Sequence, residues 1–180
     1  MKDTIKYLIL LIIYLVCGVN LQAQNYTFRN VVMSDGLSGL LVNAIYKDSE
    51  GFVWLGTDNC LDRFDGVKVR HYEFRGVDSG RKKRVNCITE TADNQLWVGN
   101  GIGLWRLNRA NGQLERIVPE KIDFAVNTLL PDGDILYIGT EKGLFIQEDG
   151  QLLQVLTDRN MLAACNRIMD LCLNEDKSAL

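Results

Sequence analysis

Val42-Asn-Ala-Ile-Tyr-Lys-Asp-Ser-Glu-Gly-Phe-Val-Trp-Leu-Gly-Thr57 has two further copies in the chain. They are Val85-Asn-Cys-Ile-Thr-Glu-Thr-Ala-Asp-Asn-Gln-Leu-Trp-Val-Gly-Asn100 and Val126-Asn-Thr-Leu-Leu-Pro-Asp-Gly-Asp-Ile-Leu-Tyr-Ile-Gly-Thr140. Each reads Val-Asn-x-(Ile/Leu), a polar turn, then apolar, aromatic, apolar, Gly. The leading valines lie 43 and 41 residues apart, and the aromatics Trp54, Trp97 and Tyr137 lie 43 and 40 apart. A unit repeating at about 42 residues suits one four-stranded β-propeller blade. The fold class is therefore all-β: blades of four antiparallel strands, about three of them plus the start of a fourth. The repeats run approximately 42–84, 85–125 and 126–167. The fourth, 168–180, opens with Ile168-Met-Asp-Leu-Cys172 and reads as truncated, which makes an incomplete propeller and a longer parent chain the expectation.

Strands can be placed inside the first repeat. Strand one carries Val42 and Ile45, and the turn Asp48-Ser-Glu-Gly51 leads to strand two, Phe52 to Thr57. Asp58-Asn-Cys60 turns into strand three, Leu61 to Phe64, and Asp65-Gly66 into strand four, Val67 to Tyr72. Strict alternation would place Val67, Val69 and His71 on one face and Lys68, Arg70 and Tyr72 on the other. Asn111-Gly112 and Asp149-Gly150 stand at the same late turn in the later repeats, where an (Asn/Asp)-Gly pair predicts a type I′ hairpin with φ > 0 at both residues. Gly56, Gly99 and Gly139 follow the aromatics, which predicts that a neighbouring blade approaches closely there. Trp54, Trp97 and Tyr137, one per repeat at fixed phase, read as core. Thr157 to Arg167 has helical composition and reads as a connector.

The N-terminus has the form of an export signal. Lys2 and Lys6 form a positive n-region, Tyr7 to Val16 an uncharged apolar h-region, and Leu21-Gln-Ala23 a cleavage site before Gln24. Residues 1–23 are thus a signal peptide and 24–180 the mature, periplasmic chain. Tyr14-Leu-Val16 is a poor lipobox, so Cys17 reads as part of the h-region. The whole chain carries 20 basic and 23 acidic side chains and a net charge of −3, so it offers no basic footprint for nucleic acid. Arg81-Lys-Lys-Arg84 reads as a solvated loop. Of the 5 cysteines, Cys60, Cys87, Cys165 and Cys172 lie beyond the signal at long irregular spacings. No metal or redox spacing appears, and no cofactor is expected. Cys87 and Cys172 read as buried small hydrophobes.

Tyr26-Thr-Phe28, Ser34-Asp-Gly-Leu-Ser38, Val42-Asn-Ala-Ile45, Asp48-Ser-Glu-Gly51, Trp54-Leu-Gly-Thr57 and Leu61-Asp-Arg-Phe-Asp-Gly66 together resemble the two-component regulator propeller repeat. The resemblance is close in the first repeat, looser in the later ones, and spans about residues 26–180. It implies the N-terminal part of an extracytoplasmic sensor of a hybrid histidine kinase, of the kind abundant in Bacteroides-type bacteria and associated with carbohydrate sensing. Downstream signalling domains, remaining blades and a possible homodimer of the full-length parent follow as implied partners. The family's Gly before the third strand is kept as Gly103 and Gly143 but replaced by Cys60, which is costly wherever φ > 0 is needed. Asn100 and Tyr137 replace the usual Thr and Trp.

Two function classes compete. The first is a binding module whose loops recognise an oligosaccharide; its contact residues cannot be named from the sequence. The alternative is an exported propeller glycoside hydrolase or lyase. Asp48-x-x-Gly51-x-x-Trp54 is similar to the Asp-box of sialidases, but its spacing is off by one and Thr91 and Pro131 stand at the matching sites. No carboxylate pair or tyrosine nucleophile can be assigned for hydrolysis. Gly99-Asn-Gly-Ile-Gly103 leads into a strand, so it is no phosphate loop. No Gly-x-Ser-x-Gly elbow occurs. His71 (the only histidine) falls in a strand and cannot be a kinase phospho-acceptor, so no catalytic residue is named and the chain reads as no enzyme.

Overall fold

The computed structural model describes residues 4–7, 30–77, 80, 83–117, 120, 122–155 and 167–173. The chain divides into two units, Met1–Asn30 and Val31–Leu180. In the first, residues 4–7 are helical. The cleavage site before Gln24 lies outside the described residues, as does nearly all of the connector Thr157 to Arg167. Among the described residues no helix is long and apolar enough to cross a membrane.

The second unit consists of three four-stranded antiparallel meanders. The first contains β1 (Val42–Lys47), β2 (Val53–Thr57), β3 (Leu61–Phe64) and β4 (Val69–Tyr72). The second contains β5 (Val85–Glu90), β6 (Leu96–Asn100), β7 (Gly103–Asn108) and β8 (Gln113–Ile117). The third contains β9 (Val126–Asp132), β10 (Ile135–Thr140), β11 (Gly143–Glu148) and β12 (Gln151–Gln154). The leading strands β1, β5 and β9 contact one another in succession, so the sheets fan outward from a common spine. These are the expected propeller blades. Among the described residues they form part of a ring.

Meander topology gives each blade two ends. The β1–β2 and β3–β4 turns and their counterparts lie at one, the hairpin end. The β2–β3 turns and the linkers between blades lie at the other, the linker end. A short 3-10 turn, Met33–Asp35, precedes the first blade and is closed by Gly36 at φ 99°.

Two apolar layers fill the gaps between blades. Between the first and second, Trp54, Leu61 and Tyr72 meet Val85, Leu96, Val98, Trp105 and Leu107. Between the second and third, Trp97 and Leu104 meet Val126, Leu136, Ile138 and Phe145. All five residues of β6 are buried, because a central strand of a middle blade is covered on both faces. The expected close approach at the glycines is observed. A methyl on Gly56 would lie 2.4 Å from Val85 Cγ1, and one on Gly99 2.5 Å from Val126 Cγ1. One on Gly139 would lie 2.7 Å from Ile168 Cγ2. Each of these side chains belongs to the leading residue of the following repeat.

In the second and third blades the Asn near the start of the same repeat as the glycine fastens the same junction. Asn86 Nδ2 donates to the Val126 carbonyl at 2.8 Å, and Asn127 Nδ2 to the Ile168 carbonyl at 2.8 Å. Asn43 departs from the pattern and donates to Asp58 Oδ1 at 3.0 Å. The repeated aromatics are core in the first two blades, with Trp54 and Trp97 buried, while Tyr137 is half-buried.

Three local expectations are corrected. Only Asp149 and Gly150 both have positive φ (47° and 74°), so the type I′ hairpin occurs only in the third blade. At Asp65-Gly66 and Asn111-Gly112 only the glycine is left-handed. In the first of these turns Asp65 Oδ1 accepts the Val67 and Lys68 amides at 2.8 and 2.7 Å, which consumes Val67 and Lys68 in the loop and starts the fourth strand at Val69. Cys60 takes the place of the left-handed Gly103 and Gly143 without adopting positive φ. Cys172 is exposed rather than buried.

Candidate binding sites at the two ends of the blades

Asp48 is where a hydrolase reading would look first. Its Oδ2 accepts Trp54 Nε1 at 2.8 Å and its Oδ1 accepts the Phe52 amide at 2.9 Å, and the residue is buried. Thr91 does the same for the second blade, accepting Trp97 Nε1 at 3.1 Å. Pro131 can accept nothing through a side chain, and there the aromatic is Tyr137, which has no indole N–H. The indole donor and its acceptor thus change together, and Asp48 is accounted for as a tryptophan's partner.

At the linker end, Asp62 lies on β3 and is fully buried. Its Oδ2 accepts the Ser38 amide at 2.8 Å and the Ser38 hydroxyl at 2.7 Å, from the segment leading into the first blade. Its Oδ1 stands 2.7 Å from His71 Nδ1 and 3.3 Å from Cys60 Sγ. The antiparallel register puts Asp62 directly opposite His71.

The same register shows how unusual this is. The counterparts of Cys60, Asp62 and His71 are Gly103, Trp105 and Arg116 in the second blade and Gly143, Phe145 and Gln154 in the third. Trp105 packs edge-on against Phe74, and Phe145 packs at a tilt against Phe124, Phe74 and Phe124 both coming from the incoming linker. Only in the first blade is this junction polar, Ser38 replacing the linker ring and Asp62 the strand ring.

The cluster opens on a cleft of about 570 Å³ whose wall includes Ser38, Asn59, Cys60, His71 and Phe74. The His71 side chain is 46% exposed and reaches the cleft, while Asp62 is sealed behind it. The order of groups excludes a nucleophilic triad, which needs the imidazole between thiol and carboxylate; here the carboxylate stands between the other two. Burial first, and then the Asp62 charge, push the Cys60 thiol up to about 11. Burial pushes Cys87 up to about 12, its sulfur lying against Gly99. Both remain thiols at neutral pH. Iodoacetamide at neutral pH is therefore expected to label exposed Cys172 at least about 10-fold faster than Cys60 or Cys87, since thiolate content and access control the rate. Peptide mapping showing equal labelling would contradict this placement.

At the hairpin end, a cleft of about 250 Å³ lies between the second and third blades. Asp93, Gln95, Asp134 and Gln147 supply carboxylate and amide groups, with Trp97 and Arg106 in the wall. The neighbouring junction is tied by a charged network: Arg109 pairs with Glu90 at 2.8 Å and Glu50 at 3.1 Å, and Ser49 donates to Glu90.

No site residue is named by sequence reasoning, and both clefts draw on residues far apart in the chain. The Cys60 departure from Gly, and an Asp at an inward strand position opposite a His, are the signals from which the linker-end cluster could have been found.

Residues 36–59 match a family model described as Two component regulator propeller. Over 79 residues, 44% of this chain, the sequence is 30% identical to Histidine kinase P4 of Formosa agariphila, and that stretch covers 6% of the relative. Two structures of the extracellular domain of a two component or one component system from B. thetaiotaomicron superpose with TM-scores of 0.67 and 0.71 at 20% identity. They cover 80% and 88% of this chain, which spans 20% and 22% of theirs. The structural likeness establishes the propeller fold.

Proposed function

We propose that this chain, whose residues 36–59 are a two component regulator propeller repeat, is the N-terminal part of an extracytoplasmic, ligand-binding sensor of a hybrid histidine kinase, and that its ligand is an oligosaccharide. Residues 1–23 serve as its export signal and 24–180 as the start of its periplasmic propeller. The chain itself acts by binding, not by catalysis. The observation that carries the reading is the fan of three meander blades, shared with extracellular sensor domains.

The hairpin-end cleft supports the choice of ligand. Amides both donate and accept while carboxylates accept, so Asp93, Gln95, Asp134 and Gln147 match hydroxyl groups that do both. Trp97 adds an apolar wall with a polar edge. Calorimetric titration of the chain with defined glycan digests tests this. A saturable heat is expected, and Asp134→Ala or Gln147→Ala should weaken it about 3–10-fold each, the worth of one net hydrogen bond. No heat across a broad glycan panel removes the carbohydrate ligand; release of reducing ends from the same panel removes the non-enzymatic reading.

A further inference from the structure

We propose that Cys60, Asp62 and His71 form a binding site for one divalent transition-metal ion of the zinc type, open to the linker-end cleft through its remaining coordination position. The site does not depend on the ligand assigned above.

The donor set selects the class of ion. Thiolate and imidazole suit zinc-type ions and not magnesium or calcium, which prefer all-oxygen ligands. The three donor atoms lie within 4.8 Å of one another. Asp62 Oδ1 is 2.7 Å from His71 Nδ1 and 3.3 Å from Cys60 Sγ. Tetrahedral bonds of about 2.0 Å to nitrogen and oxygen and 2.3 Å to sulfur put such donors about 3.3–3.7 Å apart. The two contacts of Asp62 Oδ1 therefore need to lengthen by less than about 1 Å, and His71, half-exposed on an outer strand, is the one able to move.

An outer shell is in place. Ser38 holds the second oxygen of Asp62 with both its amide and its hydroxyl, which fixes the carboxylate as the supporting partners of metal ligands do. Binding needs no co-reactant. The Cys60 thiol proton and the proton lying between His71 Nδ1 and Asp62 Oδ1 both give way to the ion, the imidazole keeps a proton on Nε2, and binding releases protons to solvent. With three protein ligands, the fourth position faces the cleft and takes water or an oxygen of a bound molecule.

Hydrogen bonding alone explains why Asp62 is satisfied. It does not explain why a carboxylate with thiol and imidazole beside it occupies the position that holds a buried ring in both other blades. Sequence spacing hid the set, because Cys60 and Asp62 are two apart while His71 arrives through the strand register.

The test is a titration of the chain with cobalt(II), a spectroscopic stand-in for zinc. One equivalent should produce sulfur-to-cobalt charge-transfer absorption and tetrahedral ligand-field bands, and zinc(II) should abolish both. Cys60→Gly, which installs the residue found at this turn in the other two blades, should remove the charge-transfer band and lower affinity at least about 100-fold, more than the 10–100-fold typical of outer-shell loss. His71→Gln should lower affinity similarly, and Ser38→Ala about 10-fold. Circular dichroism confirms that each variant folds, and two independent ligand variants guard against loss of one. Absence of the band in the parent chain, or an unchanged band in folded Cys60→Gly or His71→Gln protein, overturns the site.

Discussion

Gly56→Ala is expected to destabilise the protein by about 1–3 kcal/mol or more, the usual cost of forcing a methyl into a filled core. The new carbon would meet Val85 Cγ1 at 2.4 Å and Val85 Cβ at 2.8 Å, with Ala44 Cβ at 3.2 Å. None of these can swing away as the end of a long side chain could. The first and second blades must move apart, and the layer of Trp54, Tyr72 and Leu96 loosens with them. Thermal melting followed by circular dichroism reads this as a fall of about 2–4 °C per kcal/mol in a chain of this size. Val85→Ala alone also destabilises, by leaving a cavity. The double variant is expected to be more stable than the sum of the single effects, because each change relieves the other. Strict additivity would mean that Gly56 is not kept for the contact with Val85.

Asp48→Ala has the other large effect. It strips the acceptor from the buried Trp54 indole and from the Phe52 amide together. Leaving a buried donor unpaired costs about 1–3 kcal/mol, so a loss of roughly 2–5 kcal/mol is expected from the pair. Asp48→Thr places there the residue that serves Trp97 in the second blade, and should recover the indole bond and part of the stability. Urea melts of the three proteins measure the difference. Equal melts for Asp48→Ala and the parent would show that the carboxylate is not the tryptophan's anchor, and would reopen its candidacy as a chemical group.

Much of the fold was legible because it is written three times. Val42, Val85 and Val126 mark the spine, and the glycines after the aromatics mark where the spine of the next blade presses in. The role of Asn86 and Asn127 was not legible. Their amides bond carbonyls 40 and 41 residues away, which no local pattern encodes. The late turns were read too uniformly. Asp65 satisfies two amides with its own carboxylate, so its loop stays wider than the two-residue hairpin at Asp149-Gly150. The site was the least legible part. Asp62 and His71 look like ordinary strand positions until register sets them opposite each other and Ser38 closes over the carboxylate.

The junction fastened by Asn86 and Asn127 has an evolutionary consequence. A glycine and an asparagine on one unit accept the leading apolar residue of the next, at the second junction as at the third. A head-to-tail joint of this kind is self-compatible: any unit carrying it can follow any other. Duplication or loss of one whole unit then creates no unfamiliar interface. Ring size becomes a matter of copy number, while residues off the joint, such as Cys60, Asp62 and His71, are left to diverge in a single copy.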